Sequence, residues 1–330
     1  MFKFAKNFTL MSSIDEKALL GLVEAGLAAI DYPEATPSLY APVEYTLAEG
    51  GKRLRPLLTL ATACALGARP ETALHQALAV EMFHNFTLIH DDVMDRSPRR
   101  RGRPTVFKKW GAVQAILSGD ALLTLASREA ARGAGDRLRA VMELFDTTAL
   151  EVYEGQQLDM EFEARKRVGV NDYLRMIRLK TSVLLGCACG MGALMAGHAD
   201  DAMQPMYDYG VALGLAFQLR DDWLDVWGDP LTFGKPIGGD IVNRKKTWLF
   251  LTASRRAPQR MELALQAKSR AALVARVRGV YEELGLDSES DALIKDYCEQ
   301  AVGCLDRAPL GHGGREWFAA LARRMCLREK

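Results

Sequence analysis

The chain has 330 residues, of which 49% are hydrophobic and 26% charged, and its formal net charge is +1. So large an apolar share permits a single extensive core, because burial rises with chain size. A balance this close to neutral gives no global attraction to nucleic acid or to an anionic membrane, so any anion recognition has to be local.

The pattern is helical almost throughout, and strand-like alternation is missing, which predicts an all-α bundle of long helices. The N-terminus has two lysines and a few apolar residues but lacks the uninterrupted apolar core of a signal peptide. Ser13 and Glu16 form a capping box that opens a first helix carrying Leu19, Leu20, Val23 and Leu27. A second helix runs from about Pro42, breaks at Gly50-Gly51 and resumes after Pro56 as far as Gly67. The next, Pro70 to Asp95, is apolar or aromatic around most of its circumference and is expected inside the protein. Its last turn, His90-Asp91-Asp92-Val93-Met94-Asp95, puts charge where charge is costly.

An arginine-rich turn follows, Arg96 to Arg103, closed by Pro104. Further helices are expected over roughly 112–132, 135–165, 171–197 and 200–228, then a Gly/Lys-rich loop from Gly234 to Lys246. Shorter amphipathic helices separated by Pro258, Gly285 and a Gly311–Gly314 turn complete the chain. Val183 to Gly197 is apolar but shorter than the ~20 residues a bilayer needs, and reads as a tightly packed interior helix rather than an integral membrane span. No linker or composition change divides the chain, so residues 1–330 are expected to form one domain. The six cysteines, Cys64, Cys187, Cys189, Cys298, Cys304 and Cys326, lack zinc-ligand spacing and are expected as reduced, buried thiols of a cytoplasmic protein.

One short acidic motif occurs twice. Aspartates stand at 91, 92 and 95 and again at 221, 222 and 225, the second set inside Phe217-Gln218-Leu219-Arg220-Asp221-Asp222-Trp223-Leu224-Asp225. Residues i and i+4 share a helix face, so like charges at that spacing repel, and far more so in apolar surroundings. A cation between them relieves the repulsion, and clustered carboxylate oxygens suit Mg²⁺, which takes one or two carboxylates together with substrate phosphates. The two copies are expected to serve one metal site.

Positive charge is gathered in three places. Gly51-Lys52-Arg53-Leu54-Arg55-Pro56 lies where a helix restarts, a natural anion site. Arg99-Arg100-Arg101-Gly102 follows the first acidic motif, and Lys235 and Lys245 lie on the loop after the second. Arginine's planar fork suits phosphate oxygens, whereas lysine acts as a point charge. Nucleic acid is excluded as the partner, since the overall charge is wrong and aromatic interleaving is missing.

In these residues the sequence resembles the trans-isoprenyl diphosphate synthase (polyprenyl synthetase) family, over essentially its whole length. The matching pieces are Gly50 to Pro56, His90 to Asp95, Arg100-Arg101-Gly102, Lys180-Thr181 and the block from Phe217 to Lys246. The resemblance implies a prenyltransferase that joins an allylic diphosphate to isopentenyl diphosphate and releases pyrophosphate. It implies three Mg²⁺ ions, two held by Asp91, Asp92 and Asp95 and a third by Asp221 with Asp222 and Asp225 nearby. Lys52, Arg55, His84 and Arg101 match the pocket for isopentenyl diphosphate. Arg100, Lys180, Lys235 and Lys245 match contacts to the allylic diphosphate, and Thr181 and Gln218 match residues beside the reacting carbons. A homodimer is implied too. The sequence departs from some relatives at Lys235-Pro236-Ile237, where a residue separates the lysine from the apolar position.

In relatives, an aromatic five residues before the first motif stops the growing tail early. Phe86 occupies that position, about 7.5 Å back along the helix at ~1.5 Å per residue, with the smaller Thr87 beside it. A C20 product is expected first and C15 next. A terpene cyclase on the same fold would not need Lys52, Arg55, His84 and Arg101, and a regulatory subunit would have lost motif aspartates or the arginine pair. All of these residues are present.

Overall fold

The computed structural model describes residues 14–229 and 237–326, most of them in helices. They form two units, the first of residues 14–144, 188–203 and 308–318 and the second of 145–187, 204–307 and 319–326, less the undescribed stretch.

In the first unit α1 (Glu16–Ala28) is capped by Asp15, whose carboxylate accepts the Ala18 amide at 3.1 Å. The expected cap, Ser13, lies outside the described residues. Helix α2 (Pro37–Leu47) begins earlier than its sequence suggests, with Pro37 at the permissive first position and Pro42 inside. Helix α3 (Leu54–Ala65) starts just before Pro56 rather than after it. After a 3₁₀ turn at Pro70–Ala73 comes α4 (Leu74–Met94), with Ala77, Leu78, Val80, Met82, Phe83 and Ile89 all buried, and it packs along α6 (Ala112–Ala131) and α3. Helix α4 is thus interior, as its composition predicts.

Between α4 and α6 lie a two-residue hairpin and the short α5 (Val106–Trp110). Strand β1 (Arg99–Arg100) pairs with β2 (Arg103–Pro104), the one strand pairing among the described residues. Arg101 and Gly102 at the tip have φ of 48° and 80°, as a two-residue hairpin turn demands.

Helix α7 (Leu138–Ala164) starts in the first unit and runs into the second. It is followed by α8 (Val170–Ile177), a π-helical turn at Arg178–Ser182, α9 (Val183–Ala196) and α10 (Met203–Trp227). From Val170 to Ala196 the chain is one continuous helical run, long and apolar enough to cross a bilayer, and 83% of its apolar window is buried inside the protein. The run matches the helix expected over roughly 171–197, and the π turn within it joins α8 to α9. The rest of the second unit comprises α11 (Gly239–Val242), α12 (Trp248–Arg256), α13 (Pro258–Leu265), α14 (Arg270–Glu283), α15 (Leu286–Cys304) and the end of α16 (His312–Cys326). Tyr173, Leu219, Leu249, Val277 and Ile294 lie in its core. Gly313 and Gly314 belong to α16 rather than to a turn.

Cys298 and Cys326 form a disulfide, against the expectation of thiols throughout; α15 and α16 bring their Cα atoms to 6.5 Å, within the range a disulfide spans. The other four cysteines are not in disulfides, and burial pushes the Cys187 thiol up to about 12.

Close helix contact in the first unit depends on a missing side chain. A Cβ on Gly192 of α9 would sit 2.7 Å from Thr62 Cβ of α3, whereas one on Gly279 of α14 would meet nothing within 4 Å. Gly192→Ala is therefore expected to destabilise the protein by about 1–3 kcal/mol through overpacking. Gly279→Ala is expected to stabilise it by about 0.4–1 kcal/mol by restricting the unfolded chain. Urea unfolding of the two variants beside the parent measures both.

Candidate active site

The Gly50-to-Pro56 stretch is fixed by one arginine. Arg53 has φ 43°, a left-handed conformation costing roughly 1–2 kcal/mol for a residue with a side chain. Its guanidinium offsets that cost by donating to Glu24 at 2.8 Å, Glu81 at 2.7 Å and the Leu47 carbonyl at 2.6 Å. Glu81 also accepts from Asn85 at 3.1 Å. This latch orients the start of α3 and, with it, Lys52 and Arg55 on either side.

Arg55 is the opposite case. Its Nε is buried and has no hydrogen-bond partner among the described residues. Burial and the neighbouring Arg101 lower its pKa to about 10, while Glu81 resists. His84 on α4 is held neutral, its pKa well below the usual value through burial and then through Arg55, Arg101, Arg100 and Arg53. Arg101 lies across the loop, donating to the Gly50 carbonyl at 2.8 Å; a Cβ on Gly51 would stand 2.9 Å from its Nη1. Lys52 is exposed beside them. The structure therefore gathers Arg55, His84 and Arg101 into a cationic pocket short of counter-charge, the electrostatics of an anion site.

At the end of α4, Asp91 and Asp95 stand one turn apart. Asp92 is buried and gripped by Arg100, whose Nε lies 3.1 Å from both carboxylate oxygens and whose Nη2 lies 2.9 Å from Oδ1. Below the motif, Thr87 donates to the His84 carbonyl at 2.8 Å. The Phe86 ring meets His90 edge-on at 4.7 Å and lies 5.5 Å from Phe83.

In the second unit the π turn carries Lys180 and Thr181. Lys180 Nζ pairs with Asp159 of α7 at 2.5 Å, and the Thr181 hydroxyl donates to Gln218 of α10 at 3.3 Å. Gln218 donates in turn to Asp222 at 3.1 Å, and the Tyr173 hydroxyl donates a short hydrogen bond to the same carboxylate. Burial pushes the Asp222 carboxyl up to about 7 against the pull of Lys245, with Asp240 adding to the rise. Asp225 accepts the Gly239 and Asp240 amides at 3.2 and 2.9 Å, so it caps α11. Asp221 is partly buried at the head of the motif. Burial lowers the pKa of Lys245, but Asp240, Asp222, Asp159 and Asp225 outweigh it and hold the ammonium charged. Lys235 lies outside the described residues.

Among the described residues no group of three or more His, Cys, Asp or Glu side chains converges as a metal cage. Pairs of hard carboxylate oxygens such as Asp91 with Asp95 nevertheless fit Mg²⁺, which completes its octahedron with phosphate oxygens and water rather than with protein alone. Three residues not singled out from the sequence belong to this machinery: Arg53, Asp159 and Tyr173. Arg53 lies inside a motif already recognised, whereas the partnerships of Asp159 and Tyr173 are made by the fold and leave no mark in the spacing.

The model of a single family, polyprenyl synthetase, matches residues 36–284. The chain is 39% identical over 287 residues to a geranylgeranyl diphosphate synthase of Methanosarcina mazei, covering 84% of this chain and 87% of that one. It is 36% identical over 274 residues to a (2E,6E)-farnesyl diphosphate synthase of Mycobacterium tuberculosis, covering 83% and 71% of the two chains. A crystal structure of a geranylgeranyl pyrophosphate synthase superposes with a TM-score of 0.90 at 40% identity, covering 96% of this chain and all of that one.

His84 makes the pocket pH-sensitive. Its folded-state pKa is depressed, so below about pH 6.5 the unfolded chain takes up a proton that the folded chain refuses. The stability it contributes is present above that pH and is lost as pH falls. The drop in melting temperature from about pH 7.5 to about pH 5.5 is expected to be smaller in His84→Gln than in the parent, as measured by calorimetry.

Proposed function

The chain belongs to the polyprenyl synthetase family, and from that premise we propose the working parts of a trans-prenyltransferase that condenses an allylic diphosphate with isopentenyl diphosphate. Its products are short all-trans prenyl diphosphates, C20 first and C15 next, in keeping with relatives named as geranylgeranyl and farnesyl diphosphate synthases. The observation that carries the reading is the under-compensated cationic pocket of Arg55, His84 and Arg101, with the buried, unpartnered Arg55 Nε among the described residues.

Lys52, Arg55, His84 and Arg101 receive the diphosphate of isopentenyl diphosphate. Arg100, Lys180, Lys235 and Lys245 receive the allylic diphosphate. Asp91, Asp92 and Asp95 provide metal-ligating oxygens from the first acidic motif, and Asp221, with Asp222 and Asp225 nearby, from the second. Asp92, Asp222 and Asp225 belong to the same motifs, and their carboxylates serve Arg100, Tyr173 with Gln218, and the start of α11. Mg²⁺, three ions by the family resemblance, neutralises the departing diphosphate as a Lewis acid when bound.

The side chains have separate tasks. Arg100, Lys180 and Lys245 stabilise the charge that develops on the diphosphate as the allylic C–O bond breaks. The isopentenyl double bond then attacks the allylic carbon, and the proton lost from the adjacent carbon passes to the released pyrophosphate. Thr181 and Gln218 flank the reacting carbons with polar oxygens held by their mutual hydrogen bond. Apolar helix walls exclude the water that would quench the cation.

Residues 1–330 are proposed to work as one catalytic domain in a cytoplasmic homodimer. The partner surface is supported by Val113, Ile116 and Leu117, which share a face of α6 and are 75%, 44% and 52% exposed.

Two variants test the reading, using purified protein, Mg²⁺, labelled isopentenyl diphosphate and allylic primers of three lengths. Asp91→Asn is expected to lower kcat by at least about 10²-fold while the protein stays folded, the order seen when a group stabilising developing charge is removed. Full activity in that variant excludes Asp91 as a ligand. Phe86→Ala opens space one turn behind the motif and is expected to shift the product distribution to longer chains when sized by chromatography; unchanged lengths exclude Phe86 as the stop.

A further inference from the structure

Lys180 and Thr181 are carried by a π-helical turn, Arg178–Ser182, set between two regular helices. The Val183 amide reaches back five residues to the Arg178 carbonyl, and the Ser182 hydroxyl donates to the Ile177 carbonyl at 3.3 Å. A π turn holds one residue more than the α-helix would. Relaxing it would rotate the side chains that follow by about 100° and carry Lys180 away from its present direction. Since a π turn packs less well than an α-helix, something outside the turn must hold it.

Two glycines press on it from different helices. A Cβ on Gly155 of α7 would lie 2.7 Å from both Leu179 C and Lys180 Cα, and a Cβ on Gly214 of α10 would lie 2.5 Å from Ser182 Cα and 2.7 Å from Ser182 Cβ. The nearest atoms are mostly backbone, so they cannot swing aside as a flexible side-chain end does. One turn beyond Gly155 on α7, Asp159 takes the Lys180 ammonium at 2.5 Å. The same face of α7 thus admits the backbone of the π turn and catches the side chain that the turn presents.

We infer that Gly155 and Gly214 are positioning residues, the two jaws of a clamp that locks the π turn and thereby aims Lys180 at the allylic diphosphate. This rests on the proposed role of Lys180 as an allylic-diphosphate contact. Neither glycine touches substrate; each acts by permitting backbone contact that any Cβ would prevent.

Steady-state kinetics with both substrates varied separately test the inference in Gly155→Ala, Gly214→Ala, Lys180→Ala and the Gly155→Ala/Lys180→Ala double variant. The expected result is a rise of at least about 10-fold in KM for the allylic substrate in each glycine variant, since displacements near 1 Å carry large penalties. KM for isopentenyl diphosphate should stay within about 2-fold, and in the Lys180→Ala background the Gly155→Ala loss should shrink below about 2-fold. Two results overturn the clamp while leaving the role of Lys180 intact: both KM values moving together, or a Gly155→Ala loss that multiplies undiminished with that of Lys180→Ala. Lys180→Ala alone leaving allylic kinetics unchanged removes the role of Lys180, and the inference with it. If Gly155→Ala does not fold, Ser182→Ala, which deletes only the hydroxyl bonded to Ile177, carries the same comparison.

Discussion

Charge held among apolar helices with too little internal compensation is the constraint on which this protein is built. Arg53 and Arg55, two residues apart, show the contrast. Arg53 satisfies its guanidinium with Glu24, Glu81 and a carbonyl and is paired as a structural cation should be. Arg55 keeps a buried Nε without a partner among the described residues, next to Arg101 and a histidine held neutral by its surroundings. A buried cation left short of anions costs several kcal/mol, and a protein retains that cost where a ligand will cancel it. The fully paired arginine keeps the under-paired one in place.

The same division of labour runs through the acidic motifs. In the first motif, Asp92 is committed to Arg100 through three short contacts. Asp222 is committed to Tyr173 and Gln218, and Asp225 to the first amides of α11. A carboxylate that fixes an arginine or a glutamine orients that neighbour, and its remaining lone pairs stay available to other partners. The repeated spacing therefore places internal anchors in both motifs, which periodicity alone does not reveal because the partners come from elsewhere in the fold.

Helix-forming periodicity and the two Asp-Asp pairs made the all-α fold and the charged end of α4 legible in the sequence. Both are local properties: an apolar circumference is counted residue by residue, and a carboxylate pair is read from i to i+4. The left-handed Arg53 was not legible, because arginine has no preference for positive φ and is held there by Glu24 and Glu81 from other helices. The π turn at Lys180 was also hidden, since its cause is backbone contact with glycines 25 residues before and 34 residues after it, Gly155 and Gly214. Pro42 and Pro56 suggested later helix starts than occur: Pro56 is the third residue of α3, where its missing amide would be unbonded anyway, whereas Pro42 lies inside α2, which continues through it at the cost of one intrahelical bond. Pairing of Cys298 with Cys326 depends on how α15 meets α16, which cysteine spacing does not encode.

Helix α4 carries the first acidic motif and the aromatic ring of Phe86 on one rigid body. Its final turn bears Asp91 and Asp95, and its preceding turns bear Phe83, Phe86 and His90, whose rings touch in sequence. His90 is seated against α6, with its Nε2 3.2 Å from the Ile116 carbonyl, and it fits there because residue 119 is glycine: a Cβ at that position would stand 2.5 Å from His90 Cδ2. Since α4 is buried around most of its girth, it cannot slide or twist without disturbing α3 and α6 together. The distance along the helix between the carboxylates and the Phe86 position is accordingly set by helical rise, so the ring lies at a fixed depth below the motif. Under the proposed role of Phe86 as the stop, a change of product length then requires a change in the ring itself, whereas a loop-mounted stop would let the length vary with the motion of the loop.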